Sequence, residues 1–366
     1  MQKLSNRPVK TFTIGFSEDA YNEAVFAKRV ARHLGTEHTE LYVSPQAALN
    51  VLPKLPEIYC EPFADPSQIP TFLVAKLARQ DVTVSLSGDG GDELFGGYAR
   101  YFLGARIWNT ARRFPAGLRR AGAGAVLSIS TGAWDRLYGA VAPAIPKKRR
   151  WPVLGDKLHK GAELLRSPDL RALYAQLIGH WQPQKIVLGA EEQAAASGGR
   201  MPSATEEMML IDATGYLPGD FLVKIDRAAM AVSLEGRSPL LDHRLYEFAW
   251  RLPLHYKVRG GTGKWLLREV LHRYVPRDLV ERPKMGFGVP IDSWLRGPLR
   301  EWAEDLLAES RLRNEGYFHP AAVRKKWLEH LSGKRNWQYH LWDVLMFQAW
   351  HEAAKLKSEP EKSLAA

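Results

Sequence analysis

Cysteine is almost absent from this chain. Cys60 is the only one in 366 residues, so no intrachain disulfide can form, and a reducing cytoplasm suits the composition best. With nothing in the sequence to activate it, Cys60 reads as a small buried hydrophobe. Long apolar runs are missing too. The most apolar long region, 116–145, is broken by Arg119, Arg120, Asp135 and Arg136, which excludes a bilayer span. No basic segment followed by an apolar one opens the chain, so no signal peptide is expected. Zinc-finger spacing, an RNA-recognition signature and internal repeats are absent as well. Finally, nothing beyond Tyr98 reads as a strand.

What is present supports a folded protein. Hydrophobic residues make up 45% of the chain, enough for a real core. Lys+Arg outnumber Asp+Glu by 51 to 40, a net charge of +11. Part of that excess sits in runs such as Lys147-Lys148-Arg149-Arg150. A basic surface without a recognition motif reads first as a solvated surface, and nucleic acid is the lesser hypothesis.

The first hundred residues alternate strand and helix. Lys10 to Phe16 sets Phe12, Ile14 and Phe16 on one face and Thr11, Thr13 and Gly15 on the other, a strand with one apolar and one small face. A helix over 22–34 carries the stripe Phe26, Ala27, Val30 and Leu34, and Gly35 stops it. A strand marked by Leu41 and Val43, a helix over 71–79 and a strand over 82–86 follow. This order predicts an α/β fold with a doubly wound parallel sheet. Later segments read as helices. Asp242 looks like an N-cap for the stripe Leu245, Phe248, Ala249 and Leu252, and Trp327, Trp337, Trp342 and Trp350 suggest a helical core near the C-terminus.

The strand over 82–86 runs into Ser87-Gly88-Asp89-Gly90-Gly91-Asp92-Glu93-Leu94-Phe95-Gly96-Gly97-Tyr98. Glycines let a backbone approach a ligand closely. Three neighbouring carboxylates (Asp89, Asp92, Glu93) repel one another unless cations balance them, and a loop at a strand's carboxyl end is where open α/β sheets bind nucleotides. The loop therefore suits a phosphorylated ligand with a divalent metal. A bare Asp-Gly-Gly-Asp would mark only a turn. Lys264 begins a helix, where a cation opposes the macrodipole at a cost of about 0.3–1 kcal/mol. Gly260, Gly261 and Gly263 make its entry loose. It reads equally as a site lysine and as a solvated one.

The longer loop string resembles a signature of the asparagine synthetase (glutamine-hydrolysing) family, and other motifs follow in that family's order. They are Lys10-Thr11-Phe12-Thr13-Ile14-Gly15-Phe16 with Tyr21-Asn22-Glu23, Leu34-Gly35-Thr36-Glu37-His38, Pro62-Phe63-Ala64-Asp65-Pro66-Ser67 and Asp226-Arg227-Ala228-Ala229-Met230. Glu235-Gly236-Arg237-Ser238-Pro239-Leu240-Leu241-Asp242, Lys264-Trp265-Leu266-Leu267-Arg268-Glu269 and Lys284-Met285-Gly286-Phe287-Gly288-Val289-Pro290 complete the series. The resemblance spans roughly 9–350 and implies the C-terminal synthetase domain. It implies a sheet of the adenine-nucleotide alpha-hydrolase type at 9–100, a helical and loop insertion at 101–205, a helical part completing the site at 206–354, and a disordered tail at 355–366.

The activity implied is ATP-dependent amidation of aspartate through a β-aspartyl-AMP, with ammonia from glutamine displacing AMP. Ile14, Gly15, Ser87 and Gly88 would contact ATP. Asp89 would stand where the family has an acid, often the longer glutamate, needed to form the acyl-adenylate. Asp92 would bind Mg2+, and Lys264 would lie by the reacting phosphate and acyl groups. Asp226, Glu235, Arg237, Asp242 and Lys284 read as either structural or substrate-binding.

Two family features are missing. Met1 is followed by Gln2 rather than by the N-terminal cysteine of a glutaminase domain, and no Ser-Gly-Gly-x-Asp-Ser pyrophosphate loop follows a first strand. Ser197-Gly198-Gly199-Arg200-Met201 has no strand before it and no Asp after it. The expectation is a truncated, weakly active synthetase that needs a glutaminase domain or subunit from elsewhere. A related amidotransferase for another carboxylic acid (a sugar uronate or cell-envelope intermediate) and a non-catalytic fragment remain as alternatives.

Overall fold

A computed structural model describes residues 1–16, 22–141, 154–191, 201–281 and 289–358. Tyr21, the basic run at 147–150, the glycines at 198–199 and Lys284 to Gly288 lie outside those residues.

The strand β1 (Lys10–Phe16) pairs in parallel with β2 (Glu37–Val43), Lys10 opposite Glu37 and Phe16 opposite Val43. The connecting helix, Ala24–Leu34, ends at Gly35 with φ 70°. The small face of β1 is needed for that helix to approach. A Cβ on Gly15 would stand 2.9 Å from Ala24 Cβ, Asn22 Oδ1 and Tyr42 Cε1. The apolar face turns inward, with Ile14 and Phe16 buried, and the helix Gln68–Arg79 packs against β1 from that side.

A second pair lies beyond that helix. Strand β3 (Val84–Leu86) runs parallel to β4 (Glu235–Arg237). The described strands thus form two separate two-stranded sheets rather than one doubly wound sheet. β4 also corrects the expectation that no strand follows Tyr98. Its three residues, Glu-Gly-Arg, are all exposed and carry no apolar alternation, so only the pairing with β3 makes them a strand.

Ile14, Phe16, Val43 and Ile69 share one continuous core with the C-terminal helices, including the fully buried Trp327 and Trp342. The last helix, Gln338–Ser358, extends through 355–358, where a disordered tail was expected. A smaller core joins Tyr101, Tyr174, Met208 and Met209. Cys60 is exposed rather than buried; it ends the short helix Leu55–Tyr59 at φ 62°. No described helix is long and apolar enough to cross a membrane.

Candidate active site

The acidic glycine loop continues the β3–β4 ladder by one bond, Ser87 N–H to Arg237 O at 2.9 Å. It then turns through Gly90, at φ 84°, into the short helix Gly91–Phe95. Lys264 reaches the same place from another direction. Its backbone N–H donates to Phe95 O at 2.8 Å, and its Nζ meets Asp92 Oδ2 at 2.9 Å. Gly97 permits this pairing, since a Cβ there would fall 2.0 Å from Asp92 Oδ1 and 2.5 Å from Lys264 Cε.

Lys264 adopts φ 56° at the N-cap of the helix Trp265–Leu271. A non-glycine residue in the left-handed region costs about 1–2 kcal/mol, and such strain gathers at functional sites. The turn before it is closed by paired backbone bonds between Arg259 and Thr262, at 2.9 and 3.0 Å. Gly263 is wedged against Gly96, whose carbonyl oxygen would lie 2.1 Å from an added Cβ. The entry to Lys264 is therefore held rather than loose.

Asp89 accepts a hydrogen bond from Ser87 Oγ. Burial raises its carboxyl above the ordinary range, while that bond and the charges of Lys224 and Lys264 oppose the rise. Gly88 has open space where a side chain would project. The structure thus gathers Ser87, Gly88, Asp89, Asp92 and Lys264 into one cluster at a strand's carboxyl end. Ile14 and Gly15 stand at the corresponding end of β1, in the other sheet.

Sequence reading missed the groups behind this cluster. Lys224 is buried and pairs with Asp65 Oδ2 at 2.5 Å. Burial would raise the Asp65 carboxyl, but Lys224, helped by donors from Ser67, holds it below the usual range. Burial, then the charge of Asp65, pushes Asp220 up to about 7. Asp220 comes from a π-helical stretch, Asp212–Phe221, that contains Pro218. A proline has no N–H and clashes with a preceding carbonyl in a regular α-helix; the wider winding accommodates it. Pro218 inside an otherwise helical segment was the available signal.

At the other end of that stretch, Asp212 Oδ2 accepts from Arg100 Nη2 at 2.7 Å, Tyr101 Oη at 2.8 Å and Tyr174 Oη at 2.7 Å. Of the residues left open between a structural and a substrate role, those described stand as follows. Arg237 pairs with Glu235 at 2.7 Å on the surface, and Asp242 caps its helix by accepting from Arg244 N–H at 3.0 Å. Asp226 is exposed.

Among the described residues no group of three or more His, Cys, Asp or Glu side chains is arranged to hold a metal. The single carboxylate of Asp92 still fits Mg2+, which is commonly held by one or two carboxylates plus substrate phosphates.

The asparagine synthase family profile matches residues 1–352. The chain is 32% identical over 343 residues to asparagine synthetase [glutamine-hydrolyzing] 1 of Bacillus subtilis, covering 94% of this chain and 52% of that protein. A putative asparagine synthetase [glutamine-hydrolyzing] of Mycobacterium bovis is 34% identical over 353 residues, covering 93% of this chain and 50% of that protein. The human asparagine synthetase [glutamine-hydrolyzing] is 22% identical over 361 residues, covering 92% and 46%. The chain thus spans about half the length of these curated relatives.

Proposed function

The chain belongs to the asparagine synthase family, and from that premise we propose that it carries the ATP-dependent, amide-forming half of a glutamine-dependent ligase whose acceptor is aspartate. The observation that supports this reading best is the meeting of Asp89, Asp92 and Lys264 beyond the end of β3.

The reaction runs in two balanced steps. A side-chain carboxylate oxygen of the acceptor attacks the α-phosphorus of ATP, and pyrophosphate leaves. Ammonia then attacks the acyl carbon, AMP leaves with the C–O electron pair, and one proton is released. Magnesium, when bound, supplies charge neutralisation at the phosphates. In the structure Lys264 balances Asp92. Ion binding at Asp92 would free Nζ for phosphate oxygens, where a fixed cation opposes the developing charge. Gly88 leaves the backbone open to the nucleotide. Ile14 and Gly15 would border the adenine from the end of β1. Asp89, kept in place by Ser87, would face the acceptor side. Glutamine hydrolysis is assigned to a separate domain or subunit.

Ammonium salts bypass that separate component, so the chain can be tested directly. MgATP titration should show binding that Asp92→Asn weakens about tenfold. Aspartate should support ATP–pyrophosphate exchange better than other carboxylic acids do. Failure to bind MgATP, or exchange unaffected by Asp92→Asn, would overturn the proposal.

A further inference from the structure

Three carboxylates crowd the loop at 89–93, and one of them faces the interior. Adjacent side chains on the short helix Gly91–Phe95 point about 100° apart. Asp92 meets Lys264 where its own side chain is 21% exposed. Glu93 is 1% exposed. A carboxyl group buried that far costs free energy unless it is hydrogen-bonded. Tyr98 provides the bond, its Oη donating to Glu93 Oε1 at 2.7 Å. This partner is a hydroxyl and not a cation.

The Tyr98–Glu93 bond spans the turn that carries the site. Along the backbone the same turn is closed by Gly97 N–H, which donates to Asp92 O at 2.9 Å, and by Lys264 N–H on Phe95 O. A helix of five residues cannot hold its own shape, so the placement of Asp92 depends on such ties. Leu94 and Phe95 supply apolar ones, packed in a cluster with Ala249. Glu93 supplies the polar one. Tyr98 is itself fixed. The guanidinium of Arg100 lies 3.8 Å from its ring centre, an attractive placement for a cation. Arg100 is in turn tied to the buried Asp212. Tyr101 and Tyr216 meet the same ring edge-on at 5.5 and 6.1 Å. A continuous set of contacts thus runs from Asp212 to the residue beside Asp92.

A carboxylate next to an ion-binding aspartate has two roles open to it, second ligand or support. The geometry favours support, because an oxygen of Glu93 is already committed to Tyr98 inside the protein. We propose that Glu93 and Tyr98 are positioning residues, which hold the Asp92–Lys264 pair in the orientation that receives a magnesium nucleotide, and that Glu93 is not itself a ligand of the ion. The hydroxyl of Tyr98 acts through Glu93, and Glu93 through the short helix it shares with Asp92. This role rests on the activity proposed above, since it presumes that MgATP arrives at Asp92 and Lys264.

Hydrogen–deuterium exchange and MgATP titration on the full chain test it. Tyr98→Phe removes only the hydroxyl, and Glu93→Ala removes the acceptor. Each should speed amide exchange at Gly97 and Lys264 about fivefold without ligand, the scale of one hydrogen bond. Each should weaken MgATP binding by a similar factor while the rest of the chain exchanges as before. Glu93→Gln keeps an acceptor oxygen for Tyr98 and should stay within about twofold of the unchanged chain in both measurements. If Glu93→Ala does not fold, Tyr98→Phe still decides. Binding by Glu93→Gln that falls tenfold or more, with Tyr98→Phe unaffected, would make Glu93 a ligand of the ion and overturn the proposal. So would unchanged exchange in Tyr98→Phe, or faster exchange there with MgATP affinity intact. These outcomes strike this role alone. Failure of the unchanged chain to bind MgATP strikes it together with the proposed activity.

Discussion

Asp92 and Asp212 both carry an ion pair shorter than 3 Å, yet they sit in opposite surroundings. The Asp212 side chain is fully buried and collects four donor groups on one oxygen, two from Arg100 and one each from Tyr101 and Tyr174. The guanidinium of Arg100 is itself packed over Tyr98 at 3.8 Å and Tyr216 at 4.9 Å. Asp92 and Lys264 are 21% and 34% exposed, held by glycine turns rather than by aromatic walls. A pair built on a fully buried carboxylate holds elements together, although Arg100 itself keeps 27% exposure, and losing one partner leaves the other's charge uncompensated. A pair open to water can exchange its partner at small cost, which a site receiving phosphates and a cation requires. An aspartate paired with a cation thus makes a tether in one place and a water-accessible pair at the candidate site in the other.

Four substitutions would sharpen or break that contrast. Asp212→Ala should be the most damaging to the fold, costing on the order of 3–5 kcal/mol by removing the carboxylate that balances Arg100 and accepts from the Tyr101 and Tyr174 hydroxyls, read from denaturant unfolding. A loss below 1 kcal/mol would erase the distinction. Lys264→Met should leave stability nearly unchanged but lower ammonium-dependent amidation about a hundredfold, the scale of a lost charge-stabilising group. Unaltered rates would remove Lys264 from the site.

The third test concerns pH. Burial and Asp65 push Asp220 up to about 7, above its unfolded value of about 4. The folded chain therefore binds more protons than the unfolded one between those values, and this group makes stability fall as pH rises from about 4 to about 7. Asp220→Asn should flatten that part of the stability curve and raise stability at pH 8 by about 1 kcal/mol, allowing for water reaching the carboxyl. An unchanged slope would show that Asp220 ionises normally. Last, Arg237→Ala removes only an exposed pair with Glu235 and should change stability by less than about 0.5 kcal/mol and amidation not at all. A large loss of activity would return Arg237 to the substrate.

The site's front layer was legible in the sequence because glycine and carboxylate spacing signals it locally. Ser87, Asp89, Asp92 and Lys264 were found that way or through the family motifs. The layer behind was not, because Asp65 lies 159 residues before Lys224 and nearly as far before Asp220, and the three acquire meaning only when packed together. The same reason hid β4. The helix Ala24–Leu34 with its Gly35 stop was clear from periodicity, whereas the division into two sheets depends on which strand edges meet, and no local pattern encodes that.

The π-helical stretch Asp212–Phe221 links the two regions compared above. One end is locked to Arg100 and the tyrosines, and the other delivers Asp220 beside Asp65 and Lys224. It therefore acts as a ruler whose length matters more than its composition. Deleting a single residue from it would let ordinary winding return and swing Asp220 away by roughly 100°, even with every named side chain still present. Insertions and deletions here should be far less tolerated than point changes at its exposed positions.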